Sequence, residues 1–403
     1  MRSTMLRRIF LTGLFLTVSS ASLAETSAPL CILDPAKMPE SWQPPAKMRQ
    51  SLNPAPWSEA EAKDAEYAKE TGVDEIITYF KTNSSALDIP WGDAIESLIQ
   101  VTFASANTPE FDAKVRNAAR NNLTALIELF FKRNPDLKQV SCEDFGRLLP
   151  LAIFAHGLYP ADDLRTARVT KGTNAAYRAC TSLKAATGLD HHKILANEQA
   201  DPEMLLEVYI WALWFMEAEL YPDIELPPET REYGKLLWTY FKHYRLADAD
   251  EFEDGPWDDR FVAMADLAPH IAHIPTGTHR YPIYVEDYPD LYRYHRENFY
   301  AVMQLGELDL FASFVDTLRQ YGCTPENDVQ VRDGSRFMLK IFHDNKDRWM
   351  NYRQDGETDA ELDDYDIVHY PWTAVLGLRD RKLEQPKPGT YGALIRRWLP
   401  DPR

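Results

Sequence analysis

An all-α fold is the class this sequence predicts, and three observations carry it. Only 17 of the 403 residues are glycine, too few for the many tight turns of an all-β chain. Helix-start signals recur along the chain, and the apolar residues behind them follow helical spacing. No run alternates polar and apolar residues between hairpin turns. The 45% hydrophobic and 12% aromatic content excludes a disordered or low-complexity chain. The length suits one large domain of packed helix pairs, either closed into an α/α toroid or stacked as a degenerate helical-repeat array.

Residues 1–24, MRSTMLRRIFLTGLFLTVSSASLA, read as an export signal. Arg2, Arg7 and Arg8 precede an apolar run from Ile9 to Val18, and small residues at Ser22 and Ala24 place cleavage before Glu25. Arg7-Arg8-Ile9-Phe10-Leu11 also fits the core of a twin-arginine leader, so both export routes stay open. The run is too short to span a bilayer and no later segment reaches ~18 uncharged apolar residues, so no integral membrane segment is expected after leader removal. The expected location is periplasmic or secreted. Residues 25–57 contain seven prolines and predict an extended surface lead-in.

The helical body is expected over 58–385. Ser58 with Glu61 is a capping box that opens a helix over 58–82, followed by 91–105. Thr108-Pro109-Glu110, Asp201-Pro202-Glu203 and Thr324-Pro325-Glu326 share one logic. A polar side chain accepts a free amide, proline fills the first position where no donor is missed, and a carboxylate meets the positive helix end. These open helices over 109–133, 202–220 and 326–350. Ser141 with Glu143 and Asp144, and Thr358 with Glu361, are weaker versions that open 141–158 and 360–370. Further helices are predicted over 173–187, 229–245, 258–268, 288–304 and 307–321, with a last one over 390–398 in a tail of 386–403. The 204–220 stretch is apolar nearly all round, with Glu207, Glu217 and Glu219 its only charges. A carboxylate there must be paired, reach solvent or titrate upward.

The formal charge is −18, and removing the leader's three arginines takes it to −21. Nucleic acid and anionic membrane surfaces are therefore repelled and excluded as broad partners. Cys31, Cys142, Cys180 and Cys323 allow three pairings outside the cytoplasm, Cys142 with Cys180 being the most local. No C-x-x-C, G-x-S-x-G or complete P-loop is present, and the acidic runs 248–259 and 355–366 lack EF-hand spacing.

Chemistry concentrates in PHIAHIPTGTHRYPIYVEDYPDLYRYHRENFY, residues 269–300, where Pro275, Gly277 and Pro282 predict a loop. Three functions compete for it. The leading expectation is an exported helical protein whose concave His/Tyr/Arg-rich surface binds a polysaccharide or another exported protein without turnover. The second is a carbohydrate-active enzyme, a polysaccharide lyase or hydrolase. His279, Tyr281, His295 and Tyr284 would serve as acid and base, and Arg280, Arg293, Arg296, Tyr288, Tyr292 and Glu217 would hold substrate. The third is a metalloenzyme with zinc or another transition metal on His270, His273 and His279.

Overall fold

The computed structural model describes residues 31–83, 89–104, 109–160, 162–241, 243–350 and 362–379. The expected leader 1–24, the tail 386–403 with its 390–398 helix, Thr108 and Thr358 lie outside the described residues. Among the described residues the protein is all-α, with no strand. Its helices are α1 (Ala46–Arg49), α2 (Glu59–Thr82), α3 (Ile89–Ala104), α4 (Pro109–Arg133), α5 (Phe145–Leu158), α6 (Leu164–Ala179), α7 (Leu183–Thr187), α8 (His191–Leu195), α9 (Pro202–Ala218), α10 (Thr230–Phe241), α11 (Asp259–Thr276), α12 (Pro289–Leu305), α13 (Leu308–Gln320), α14 (Val329–Asp344) and α15 (Asp364–Gly377).

Local chemistry explains where most of them begin. Ser58 accepts from the Glu61 amide while Glu61 reaches back to Ser58, the expected capping box of α2. Asp201 accepts from the amides of Glu203 and Met204 ahead of Pro202, opening α9. Three expectations need correcting. The helix expected over 173–187 is two, because α6 starts earlier on an Asp163 cap and ends at Cys180, after which Ser182 caps the short α7. Thr324-Pro325-Glu326 forms a turn, and α14 instead begins after Asp328, which accepts from the Val331 amide. The helix expected to stop at 268 continues through Pro269 to Thr276.

That last extension has a clear cause. Pro275 has no N–H for the carbonyl of Ile271, four residues earlier, which would be left unpaired. Tyr209 of α9 supplies the missing donor, its hydroxyl giving to Ile271 O at 3.3 Å and accepting from the Ile274 amide at 2.7 Å. A neighbouring helix thus completes a helix that its own sequence would end.

The helix contacts close into a ring. Helix α3 touches α5, α5 touches α9, α9 touches α11, α11 touches α13, α13 touches α15, and α15 returns to α3. Between these six inner helices the chain passes through outer ones, so that α4 packs on α3, α6 on α5, α10 on α9, α12 on α11, α14 on α13 and α2 on α15. This is the toroidal alternative of the expected fold. Its core is continuous, with Ile95, Ala152, Phe215, Ala268, Phe314 and Ala374 of the six inner helices all buried.

The lead-in is tied down rather than simply extended. It carries 3-10 turns over Pro35–Lys37 and Glu40–Trp42, and Cys31 forms a disulfide with Cys323. Asp328 accepts the Ile32 amide at 2.8 Å and binds both terminal nitrogens of Arg296. The local pair Cys142–Cys180 is the second disulfide. No helix among the described residues is long and apolar enough to cross a membrane.

Close packing sets one test of the ring. A Cβ at Gly334 of α14 would lie 2.7 Å from Val315 Cγ2 and 2.9 Å from Phe299 Cζ. Ala normally gains ~1 kcal/mol over Gly inside a helix, but overpacking of this degree costs more. Gly334→Ala is expected to lower stability by about 1–2 kcal/mol in urea unfolding, with an unchanged denaturant slope.

Candidate functional site

The inner helices carry polar residues at spacings that share a helix face. On α3 these are Asp93, Glu96 and Gln100; on α11, Asp266, His270 and His273; on α13, Asp309, Asp316 and Gln320; on α15, Tyr365, His369 and Trp372. Their side chains join in the interior of the ring. His369 lies 3.3 Å from Asp93 and 3.5 Å from Asp309, with the Tyr365 ring stacked on it at 3.6 Å. Trp372 donates to Gln100, which in turn donates to Glu96 at 2.8 Å.

A cleft of about 320 Å³ opens beside this interior, at the small end of the range for small-molecule sites. Its walls come from the C-terminal parts of α3, α5 and α9 and from the turn after α11. The polar groups facing it are Glu96, Gln100, Glu217, Tyr221, Thr278 and Arg280, with Arg116 of α4 at one side. Burial first, and then the charges of Glu217 and Asp93, raise the Glu96 carboxyl well above the ordinary carboxylate range. Burial, with Glu217 adding to it, likewise pushes the Tyr221 phenol up. Thr278 donates to Glu217 at 3.1 Å.

The turn that delivers Thr278 and Arg280 has an unusual backbone. Gly277, Thr278 and His279 are all left-handed, with φ of 59°, 51° and 67°, and for residues with a Cβ this conformation is costly. Asp316 and Arg379 hold it in place. His279 gives its Nδ1 proton to Asp316 at 2.7 Å, and Arg379 donates to the His279 carbonyl at 3.0 Å while pairing with Asp316. Burial opposes the charged form of Asp316, yet Arg379 and His279 outweigh it and hold the carboxyl at about 2. His279 itself is shifted downward by burial against the pull of Asp316. It is therefore a neutral imidazole with its proton on Nδ1.

The expected site residues do not gather in one place. Glu217 and Arg280 meet in the cleft, with His279 directly behind their turn. Tyr288 and Arg293 line a second, separate cavity, where Arg293 pairs with Asp248 and Glu297. Tyr292, His295 and Arg296 are in the core, away from the cleft. Tyr292 packs against Trp42 and Tyr321, and Arg296 is 1% exposed. His295 is fully buried against Phe314, bonded to the Leu291 carbonyl and lowered by burial to about 4. Tyr281 is buried and Tyr284 exposed, and neither lines the cleft.

The expected metal ligands are neighbours without forming a cage. Ring centroids of His270 and His273 lie 5.0 Å apart, and those of His273 and His279 4.5 Å apart, so the three stand in a row. The outer two have Nδ1 engaged, His270 with the Asp266 carbonyl and His279 with Asp316. Among the described residues, the three ligand-type side chains gathered within 4.8 Å are Cys31, Cys323 and Asp328. There the sulfurs share a disulfide and the carboxylate holds Arg296. The three histidines are not such a group.

Sequence reasoning did not single out Glu96, Gln100, Asp93, Asp309, Asp316, His369 or Arg379. No protein-family model, curated protein or solved structure matches this chain.

His369 sets a test of the interior network. Burial works against its charge, but hydrogen bonds to Asp309 and Asp93 prevail and raise it to about 9. Its stabilising contribution is complete below the ordinary histidine value of ~6.5 and is lost as pH rises through 9, about 3 kcal/mol in all. Urea unfolding at pH 6.5 and pH 9.5 should show this fall in the native protein, and His369→Gln should flatten it.

Proposed function

We propose that the cleft is the active site of a glycoside hydrolase, with Glu96 as general acid and Glu217 as general base. The observation that carries this reading is the pair itself. Two carboxyl groups from different inner helices line one small polar cleft, and burial with the neighbouring acids raises one of them, Glu96, well above the ordinary carboxylate range. A carboxyl raised in this way suits the acid role. Glu96 gives its proton to the leaving glycosidic oxygen as the C–O bond breaks. Glu217 takes a proton from the incoming water, which adds to the sugar carbon.

The surroundings suit that reaction. Gln100, Thr278, Tyr221 and Arg280 offer the dense hydrogen bonding that a polyhydroxylated ligand requires. Arg116 and Arg280 provide for a sugar carrying a carboxylate. The helix ends that face the cleft are carbonyl ends, which carry partial negative charge, and with Glu217 they favour the positive charge that develops on a sugar ring at the transition state. The raised Tyr221 phenol is a poor base near neutral pH, which favours hydrolysis over a tyrosine-driven elimination. An exported protein with two disulfides would meet such polymers outside the cytoplasm.

The test is product formation on a panel of neutral and uronate-containing oligosaccharides, followed by reducing-end release. Glu96→Gln and Glu217→Gln should each lower turnover by about 10²–10⁴-fold with little change in melting temperature. Turnover should also fall on the alkaline side as Glu96 loses its proton, and that limb should vanish in Glu96→Gln. An oligosaccharide that binds in the cleft with no reducing ends released across the panel would overturn hydrolysis in favour of binding without turnover.

A further inference from the structure

A second cavity of about 640 Å³, twice the size of the first, lies between α10, α11 and the start of α12. We propose that it is a binding site for an organic cation of the quaternary or alkylated ammonium type. This inference is independent of the hydrolase reading, because the two cavities share no lining residue.

The walls argue for the apolar part of such a ligand. Trp238, Phe241, Tyr244 and Tyr288 line the cavity together with the aliphatic Ile271 and Leu291. The rings of Trp238 and Tyr288 stand 5.8 Å apart at 58°, and those of Phe241 and Tyr244 are edge-on at 6.4 Å. Several aromatic faces around one space form the arrangement that attracts a positive charge through ring quadrupoles. Phenols add to it here, since burial raises the Tyr288 and Tyr244 hydroxyls and keeps both rings neutral and intact as π donors.

The charges decide between a cation and an anion. Arg245 and Arg293 are the basic side chains at the rim whose charge is permanent, and both are neutralised within the protein. Arg245 pairs with Glu251, and Arg293 with both Asp248 and Glu297. Asp287 and Asp290, at the same rim, are exposed and take part in no ion pair among the described residues. The cavity mouth therefore carries excess negative charge within a chain of net charge −18, and it draws cations while repelling anions.

The test is calorimetric titration of the full chain with choline, benzyltrimethylammonium and the neutral choline isostere 3,3-dimethylbutan-1-ol. Choline is expected to bind saturably, at least tenfold tighter than the isostere, with affinity falling as salt is raised. The double variant Asp287→Asn/Asp290→Asn changes only exposed side chains, so it should fold, and it should weaken choline at least fivefold while leaving the isostere unchanged. Equal affinity for choline and the isostere, unchanged choline affinity in the double variant, or no saturable binding of either cation overturns the proposal.

Discussion

The buried Asp316 carboxylate is the interaction on which the rest of the site depends. It receives Arg379 from the end of α15, Gln320 from its own helix and His279 from the turn after α11. Three successive left-handed residues in that turn would relax if nothing held them, because two of them carry a Cβ. A buried ion pair contributes little net stability over an apolar replacement, but removing one partner strands the other charge at a cost of about 3–5 kcal/mol. The turn is therefore held by charges that cannot be lost singly. Thr278 and Arg280 reach the cleft because of it.

Ring closure explains why the polar residues lie where they do. Six inner helices around a common centre leave an interior that side chains from six directions must share. Apolar packing fills the space between inner and outer helices, where Phe215, Phe261, Phe299, Phe311 and Phe314 are fully buried. The centre is instead occupied by acids, histidines and amides bonded to one another. This arrangement demands complementary partners for each group, and His369 between Asp93 and Asp309 shows it in its simplest form.

Much of this fold was legible in the sequence because helix starts are local. Ser58 with Glu61 and Asp201 with Pro202 declare their helices within four residues, and the 109–133 expectation coincides with α4. Pro269 and Pro275 misled for the opposite reason, since the hydroxyl that lets α11 continue comes from Tyr209, more than sixty residues away in the chain. The site divides in the same way. Glu217 stood out as a charge in an apolar helix, and Arg280 as part of a His/Tyr/Arg-rich loop. Glu96 did not, although Asp93, Glu96 and Gln100 share one face of α3. His295 and Arg296 looked like their neighbour Arg293, yet adjacent positions on a helix point in different directions, and only the packing of α12 on α13 and α14 decides which are buried. Asp316 meets Arg379 across 63 residues, and no local pattern announces that pairing.

What distinguishes the cleft from the remainder of the interior is the sign of its neighbours. Asp316 is matched by Arg379, Asp328 by Arg296, and Asp309 by His369. In each case opposite charges are brought together, and for Asp316 and Asp309 the partners outweigh burial and hold the carboxyl below its ordinary range. Glu96 is treated differently. Burial first, and then the acids Glu217 and Asp93, raise it further than Gln100 and His369 can lower it. A fold that only needed a filled interior would gain nothing by setting like charges side by side, because the arrangement costs stability at every pH where both would ionise. Such costs are retained where a proton is to be held and released. The raised Glu96 carboxyl, sharing one small cleft with Glu217, is the strongest physical reason to propose the chemistry there.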